Sequence, residues 1–154
     1  VNDMRAALLK LTMVARRRVC ITLPTGASPR TDDHVIEALG LASRVGRDHL
    51  YAVNILSSMG FEPELTYIKS SRHDTFETFD DALRKYDDMV RKACALLPET
   101  RTQIALSKLK PWLETQIVEN EDAGKPGERG IPQGALRLRE PRTITWAFIA
   151  WNVD

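Results

Sequence analysis

The sequence lacks the cysteine patterns that build metal centres and disulfide frameworks. Among its 154 residues only Cys20 and Cys94 are cysteines, and they form neither a CxxC pair nor a cluster with histidine. We therefore expect reduced, structural thiols, as is typical of a cytoplasmic protein, and no metal site.

Long apolar runs and an excess of one charge are also missing. No stretch approaches the roughly 18 apolar residues of a membrane-spanning helix. The 22 lysines and arginines nearly cancel the 21 aspartates and glutamates, so no global field favours nucleic acid or an anionic membrane. We expect neither as a partner, and a 43% apolar content suits one domain spanning residues 1–154.

Glycine-rich phosphate loops are the third absence. The sequence contains no GxGxxG and no GxxxxGK[ST], so by itself it carries no nucleotide-binding loop. A GxSxG elbow is missing as well, which leaves a hydrolase triad unsupported. Its single glycines are typical of helix ends and loop turns.

Helix and strand patterns alternate along the first half of the chain. We predict helices over 3–18, about 33–44 and 48–59, and strands over 19–24 and 63–69. Asp3 is the expected N-cap of the first helix, and Gly60 the expected end of the third. Because helix, glycine and strand form the return half of a βαβ crossover, a parallel or mixed sheet should follow.

The second half begins with a helical insert, at about residues 75–120. Thr78 is its expected N-cap, and Pro111 should kink or split its second helix. A polar loop over 121–134 precedes a short strand, a turn at 140–142 and a terminal strand.

That terminal strand, residues 143–151, is apolar on both faces. Ile149 and Trp151 point one way, while Trp146 and Phe148 point the other. A strand with a wet face should alternate polar with apolar residues, so we expect this one inside a covered sheet.

Candidate site residues lie where a ligand would meet such a sheet. Ligands of open α/β sheets bind beyond the carboxyl ends of the strands, which favours Pro24 and Thr25. Asn2 would be placed similarly if a strand preceded it, as would Asp3. Tyr51 and Asn54 present polar tips one turn apart on an apolar helix, either as substrate contacts or as satisfied core residues. The three histidines have no partners at metal-ligand spacing and are expected at the surface.

Three segments, read in order, resemble the C-terminal half of a class I S-adenosylmethionine-dependent methyltransferase. They are VNDMRAALLKLTMVARRRVCITLP at 1–24, YAVNILSSMGFEPELTYI at 51–68 and TITWAFIAW at 143–151. The resemblance implies an α/β, partial Rossmann-like mixed sheet with helices on both faces. Its antiparallel last strand would be inserted between the two preceding strands, and the helical insert would be extra.

The family's glycine-rich cofactor loop and its ribose-binding acid belong to the N-terminal half and are not in this sequence. The resemblance therefore implies that S-adenosylmethionine is bound only by a complete enzyme, with Asn2 and Asp3 beside it. Pro24, Thr25, Tyr51 and Asn54 would then face the methyl acceptor, which could be a small molecule.

The chain would contribute substrate-side surface and sheet completion. Its strand at 19–23 would keep an unpaired edge, which a missing N-terminal half or a second copy of the chain would cover. The alternative is a non-catalytic interaction or dimerisation module of the same fold.

Overall fold

The computed structural model describes residues 3–26, 30–42 and 46–154. The chain divides into two compact units. The first takes its described residues from 1–29, 44–70 and 144–154, and the second from 30–43 and 71–143. The second unit is thus larger than the predicted helical insert.

Helices and strands follow one another in a mixed α/β order. The elements are α1 (Met4–Val14), β1 (Arg18–Pro24), α2 (Asp33–Ala38), α3 (Asp48–Ser58), β2 (Glu64–Arg72), β3 (Thr75–Phe76), α4 (Phe79–Ala93), α5 (Glu99–Gln116), β4 (Ile117–Glu119), a 3-10 turn (Glu128–Gly130), β5 (Leu136–Leu138) and β6 (Arg142–Asn152).

The sheet of the first unit has the strand order β1-β6-β2. The terminal strand β6 thus lies between the two earlier strands, as predicted, and runs antiparallel to β1 with Ile21 opposite Ile149. The guanidinium of Arg18, at the start of β1, reaches both Asn152 on β6 (3.5 Å) and Glu64 on β2 (2.7 Å). The start of β2 therefore lies beside the end of β6.

Both described sheets are antiparallel, so no parallel pair is found among the described residues. β6 separates β1 from β2, which is the arrangement that the resemblance implies for the last strand. Within the described residues β1 pairs with β6 alone, through one of its edges.

Helices α1 and α3 pack against one face of this sheet. Their buried side chains form one cluster with the inward residues of β1 and β6: Leu8, Val19, Ala52, Leu56, Ile149 and Trp151. Asp3 caps α1 by accepting a hydrogen bond from the Ala6 amide (2.9 Å), and Gly60 follows α3 at φ +90°. Both sequence signals for helix ends are confirmed.

The opposite face of the sheet carries no helix of the first unit. Cys20 and Thr22 on that face are exposed, and Trp146 and Phe148 are half-buried. Within the first unit, α1 and α3 thus contact each other and β1 from the same side.

The second unit packs α2, α4 and α5 with a small antiparallel sheet of order β3-β5-β4. β5 pairs with β3 and β4, so the predicted short strand and the terminal strand β6 lie in different sheets. Thr78 caps α4 as predicted, accepting from the Asp81 amide at 3.2 Å. Pro111 is exposed and does not end α5. The helix continues through it because Leu109 and Leu113, on either side of the proline, are buried in the core.

Candidate functional site

The predicted residues of β1 lie at its carboxyl end, where the strand leaves the sheet. Pro24 is half-buried opposite Trp146. Both the amide and the hydroxyl of Thr25 donate to the Thr145 carbonyl, at 3.0 and 2.9 Å. Thr25 therefore fastens the end of β1 to β6, and its hydroxyl proton is already engaged.

Gly26 continues this turn towards α3. Its carbonyl accepts a hydrogen bond from the Gly46 amide at 3.2 Å. A Cβ atom on Gly46 would lie 2.5 Å from that carbonyl oxygen, so only glycine fits the approach. The carboxyl end of β1 is thereby tied to the segment that enters α3.

The other predicted site residues are exposed. Tyr51 and Asn54 both lie on the solvent side of α3, which excludes the alternative of satisfied core residues. One carboxylate oxygen of Asp3 accepts the hydrogen bond that caps α1. Asn2 lies outside the described residues. The structure thus groups Pro24 with Thr25 and Tyr51 with Asn54, and no hydrogen bond joins the two pairs in the described part of the chain.

One histidine contradicts the surface prediction. His49, in the first turn of α3, is 6% exposed. Its ring packs edge-on against Tyr67 of β2, with 5.8 Å between ring centroids. The sequence pattern placed it at a helix start, but that turn of α3 faces the sheet.

The most densely charged interior region lies in the second unit, around Asp74. The Asp74 side chain is 12% exposed, and its carboxylate contacts Lys85 Nζ at 3.2 Å. Two guanidinium groups complete this shell: Arg72 Nε at 3.7 Å and Arg142 NH1 at 3.9 Å. We refer to Asp74, Lys85, Arg72, Arg142, Asp32 and Tyr86 as the Asp74 cluster.

Asp32 brings a second buried carboxylate into the cluster. It caps α2 by accepting from the His34 amide at 3.1 Å, while Arg142 NH2 donates to the neighbouring Thr31 carbonyl at 3.1 Å. Burial raises the pKa of Asp32 and the charge of Asp74 adds to this, whereas Arg142 lowers it. The pKa of Asp32 is therefore raised overall, which means that the folded protein disfavours the ionised form of this carboxyl group.

Tyr86 completes the cluster with a neutral phenol. Its side chain is fully buried, and its hydroxyl has no hydrogen-bond partner among the described residues. Burial is the main cause that raises its pKa, followed by the charges of Asp74 and Asp32. The hydroxyl therefore keeps its proton throughout the physiological range.

The charges of the Asp74 cluster largely balance one another. Three cations face two carboxylates, and Arg72 is further occupied by both Glu128 oxygens at 2.9 and 2.8 Å. Such an arrangement holds α2, α4 and the strand ends together and leaves little charge for a ligand. Sequence analysis did not predict this cluster, because its charged members stand in polar stretches that are typical of a surface.

Residues 3–26, 30–42 and 46–154 contain no group of three histidine, cysteine or acidic side chains able to hold a metal ion. A shallow groove is lined by Val118, Glu119, Arg137, Arg139 and Glu140. Its two arginines both donate to nearby backbone carbonyls.

Comparison of the chain with protein-family models, with curated proteins and with solved structures finds no match in any of the three. None of the helices described above is both long enough and apolar enough to cross a bilayer.

Proposed function

We propose that this chain is the C-terminal portion of a class I S-adenosylmethionine-dependent methyltransferase. The observation that carries the proposal is the strand order β1-β6-β2, with the last strand of the chain between the two earlier ones. A Rossmann-like sheet whose final strand returns antiparallel into the interior has this order at its C-terminal edge. The two helices that precede β1 and β2 lie in the order that the resemblance implies.

The unfinished side of the sheet gives the proposal further support. β1 pairs through one edge only within the described residues, and its sequence RVCITLP is apolar apart from Arg18 and Thr22. Such an edge accepts another strand readily, because its backbone groups are unsatisfied on that side. An N-terminal half would supply that strand together with the glycine-rich loop for the cofactor.

In this proposal the chain provides the acceptor side of the reaction. Methyl transfer from a sulfonium is an in-line displacement, so the protein aligns donor and acceptor and excludes water. Pro24 and Thr25 mark the carboxyl end of β1, where ligands of such sheets bind. Tyr51 and Asn54 have free polar tips that could contact the acceptor, and Asn2 and Asp3 would lie beside the donor. The cofactor itself would be held by the complete enzyme.

The free edge of β1 also favours a second candidate function. An interaction module that pairs with another chain, or with a second copy, needs that edge but no catalytic residues. The engaged hydroxyl of Thr25 and the capping role of Asp3 are compatible with this alternative.

Calorimetric titration with S-adenosylmethionine separates the two functions. We expect no binding to this chain alone, and binding after co-production with the polypeptide encoded immediately upstream of Val1. Micromolar binding by the chain alone would contradict the missing pocket. Stable assembly with the upstream polypeptide without cofactor binding would instead identify the interaction module.

A substitution tests the acceptor side within the assembled protein. Because Asn54 is exposed, Asn54→Ala should leave the unfolding free energy within about 0.5 kcal/mol. If Asn54 contacts the acceptor, turnover falls while cofactor affinity is kept. The variant Ser58→Ala is the matched control, because Ser58 is also exposed on α3.

A further inference from the structure

Helix α1 is apolar on the side that faces away from the sheet as well as on the side that packs on it. Leu8 is buried in the core of the first unit. Leu9, Met13 and Val14 point away from that core and are 46, 76 and 71% exposed. Exposed aliphatic side chains grouped on one helix are typical of a contact surface, so this outer side is suited to a contact.

Most of the charges around these exposed residues are positive; Asp3, the cap of α1, and Asp154, next to the Val153 amide that is bonded to Arg17, are the acidic residues at its two ends. Arg5 and Lys10 lie on α1, and Arg16 and Arg17 follow its end; all four are exposed. No acidic residue occurs between Met4 and Thr31. The backbone of Arg17 is fixed to the sheet, because its carbonyl accepts from the Val153 amide at 2.9 Å. The cations therefore surround the apolar residues on an ordered support.

We propose that the outer side of α1, formed by Leu9, Met13, Val14 and these four cations, docks onto an anionic lipid surface. Exposed aliphatic side chains ringed by lysine and arginine are what an interfacial helix uses. The apolar tips enter the boundary between headgroups and acyl chains, and the cations remain at the charged headgroups. Clusters of four or more cations on such a helix match acidic phospholipids.

Other occupants fit these observations less well. A two-fold contact between copies of the chain would bring the same cations face to face, which costs energy. Nucleic acid would use the cations, but α1 has no aromatic side chain on which bases could stack, and three aliphatic residues would be left without a contact. We predicted no membrane partner from the near-zero net charge and the lack of a spanning segment, whereas this surface is local and peripheral.

Vesicle co-sedimentation of the full chain tests the proposal. We expect binding to phosphatidylcholine vesicles that contain phosphatidylserine and none to phosphatidylcholine alone. Raising the salt from about 0.1 to about 1 M shortens the Debye length from about 10 to about 3 Å and should release the protein.

Three variants locate the contact. Met13→Asp should weaken partition at least tenfold, since a largely exposed methionine would otherwise be buried in lipid. Replacing Arg16 and Arg17 by alanine together should weaken it about 30-fold. Leu96→Asp is the matched control: Leu96 is 81% exposed in the second unit, and its change should leave partition unchanged. Circular dichroism checks that each variant is folded.

Three outcomes would overturn the proposal: no binding to either vesicle, equal partition into neutral vesicles, or undiminished binding of folded Met13→Asp. Self-association that Met13→Asp abolishes, without vesicle binding, would also overturn it and identify a second copy as the occupant. The proposal goes beyond the methyltransferase function. The result of the vesicle experiment does not decide the result of the titration with S-adenosylmethionine, and the reverse also holds.

Discussion

Replacing Trp151 by alanine is the substitution that probes the packing of the terminal strand most strongly. Trp151 is 1% exposed and extends from β6 into the cluster formed with Leu8 and Leu56. Its indole Nε1 donates a hydrogen bond to the Thr12 hydroxyl at 3.1 Å. Truncation to alanine therefore removes core volume and one hydrogen bond between β6 and α1.

The expected loss follows from these contacts. Removing a buried tryptophan side chain costs about 3–5 kcal/mol, because the cavity collapses only in part. The lost hydrogen bond adds at most about 1 kcal/mol, since the Thr12 hydroxyl still donates to the Leu8 carbonyl at 2.9 Å. A total of about 3–6 kcal/mol is a large share of the 5–15 kcal/mol of a typical domain. The variant should be partly unfolded in the absence of denaturant.

Urea unfolding followed by circular dichroism measures this loss, with Trp146→Ala as the matched control. Trp146 lies on the other face of the same strand and is half-buried, so its truncation should cost about 1–2 kcal/mol. Equal losses in the two variants, or a larger loss for Trp146→Ala, would refute the assignment of the two faces of β6.

Three further predictions concern the second unit. Tyr86→Phe removes a buried hydroxyl that lacks a hydrogen-bond partner among the described residues, and it keeps the edge-on contact with Phe76. The unfolding free energy should therefore be unchanged or rise by up to about 1 kcal/mol. A fall of more than about 1 kcal/mol in urea unfolding would mean that the hydroxyl is hydrogen-bonded in solution. Because the pKa of Asp32 is raised above 3.8 on folding, the folded state holds its proton more tightly, and stability contributed by this group falls as the pH rises from 3.8 through the folded-state pKa. Asp32→Asn should therefore gain stability relative to the natural chain across that range, and an unfolding free-energy difference that is independent of pH would count against the raised pKa. Gly134→Ala would place a Cβ atom 2.5 Å from backbone atoms of Phe76, which cannot move aside. Thermal unfolding should therefore show that the unfolding free energy falls by about 2 kcal/mol or more. A variant with unchanged stability would disprove the close approach.

The features that the sequence predicted correctly are those with strong local signals. Asp3 and Thr78 begin helices because their side chains accept the amides that a first turn leaves unpaired. Gly60 ends α3 because it adopts a positive φ at low cost. The interior position of β6 followed from its two apolar faces, which no edge strand tolerates well, whereas its place between β1 and β2 was implied by the resemblance.

The features that sequence reasoning missed depend on distant parts of the chain. β3 and β4 have two and three residues, too few to show an alternating pattern, so the second sheet was not predicted although the short strand β5 was. Asp32, Asp74 and Arg142 are far apart in sequence, and only folding brings them together in the interior. Pro111 read as a break, yet the buried leucines on either side of it hold α5 in one piece.

The placement of β6 between β1 and β2 is the claim on which both proposed functions depend, and NMR tests it most directly. Cross-strand NOEs should connect β6 to β1, for example between Ala150 and its partner Cys20, and should connect β6 to β2 on its other side. No NOE should join the backbones of β1 and β2. Direct contacts between β1 and β2, or a β6 with a neighbour on one side only, would contradict the account.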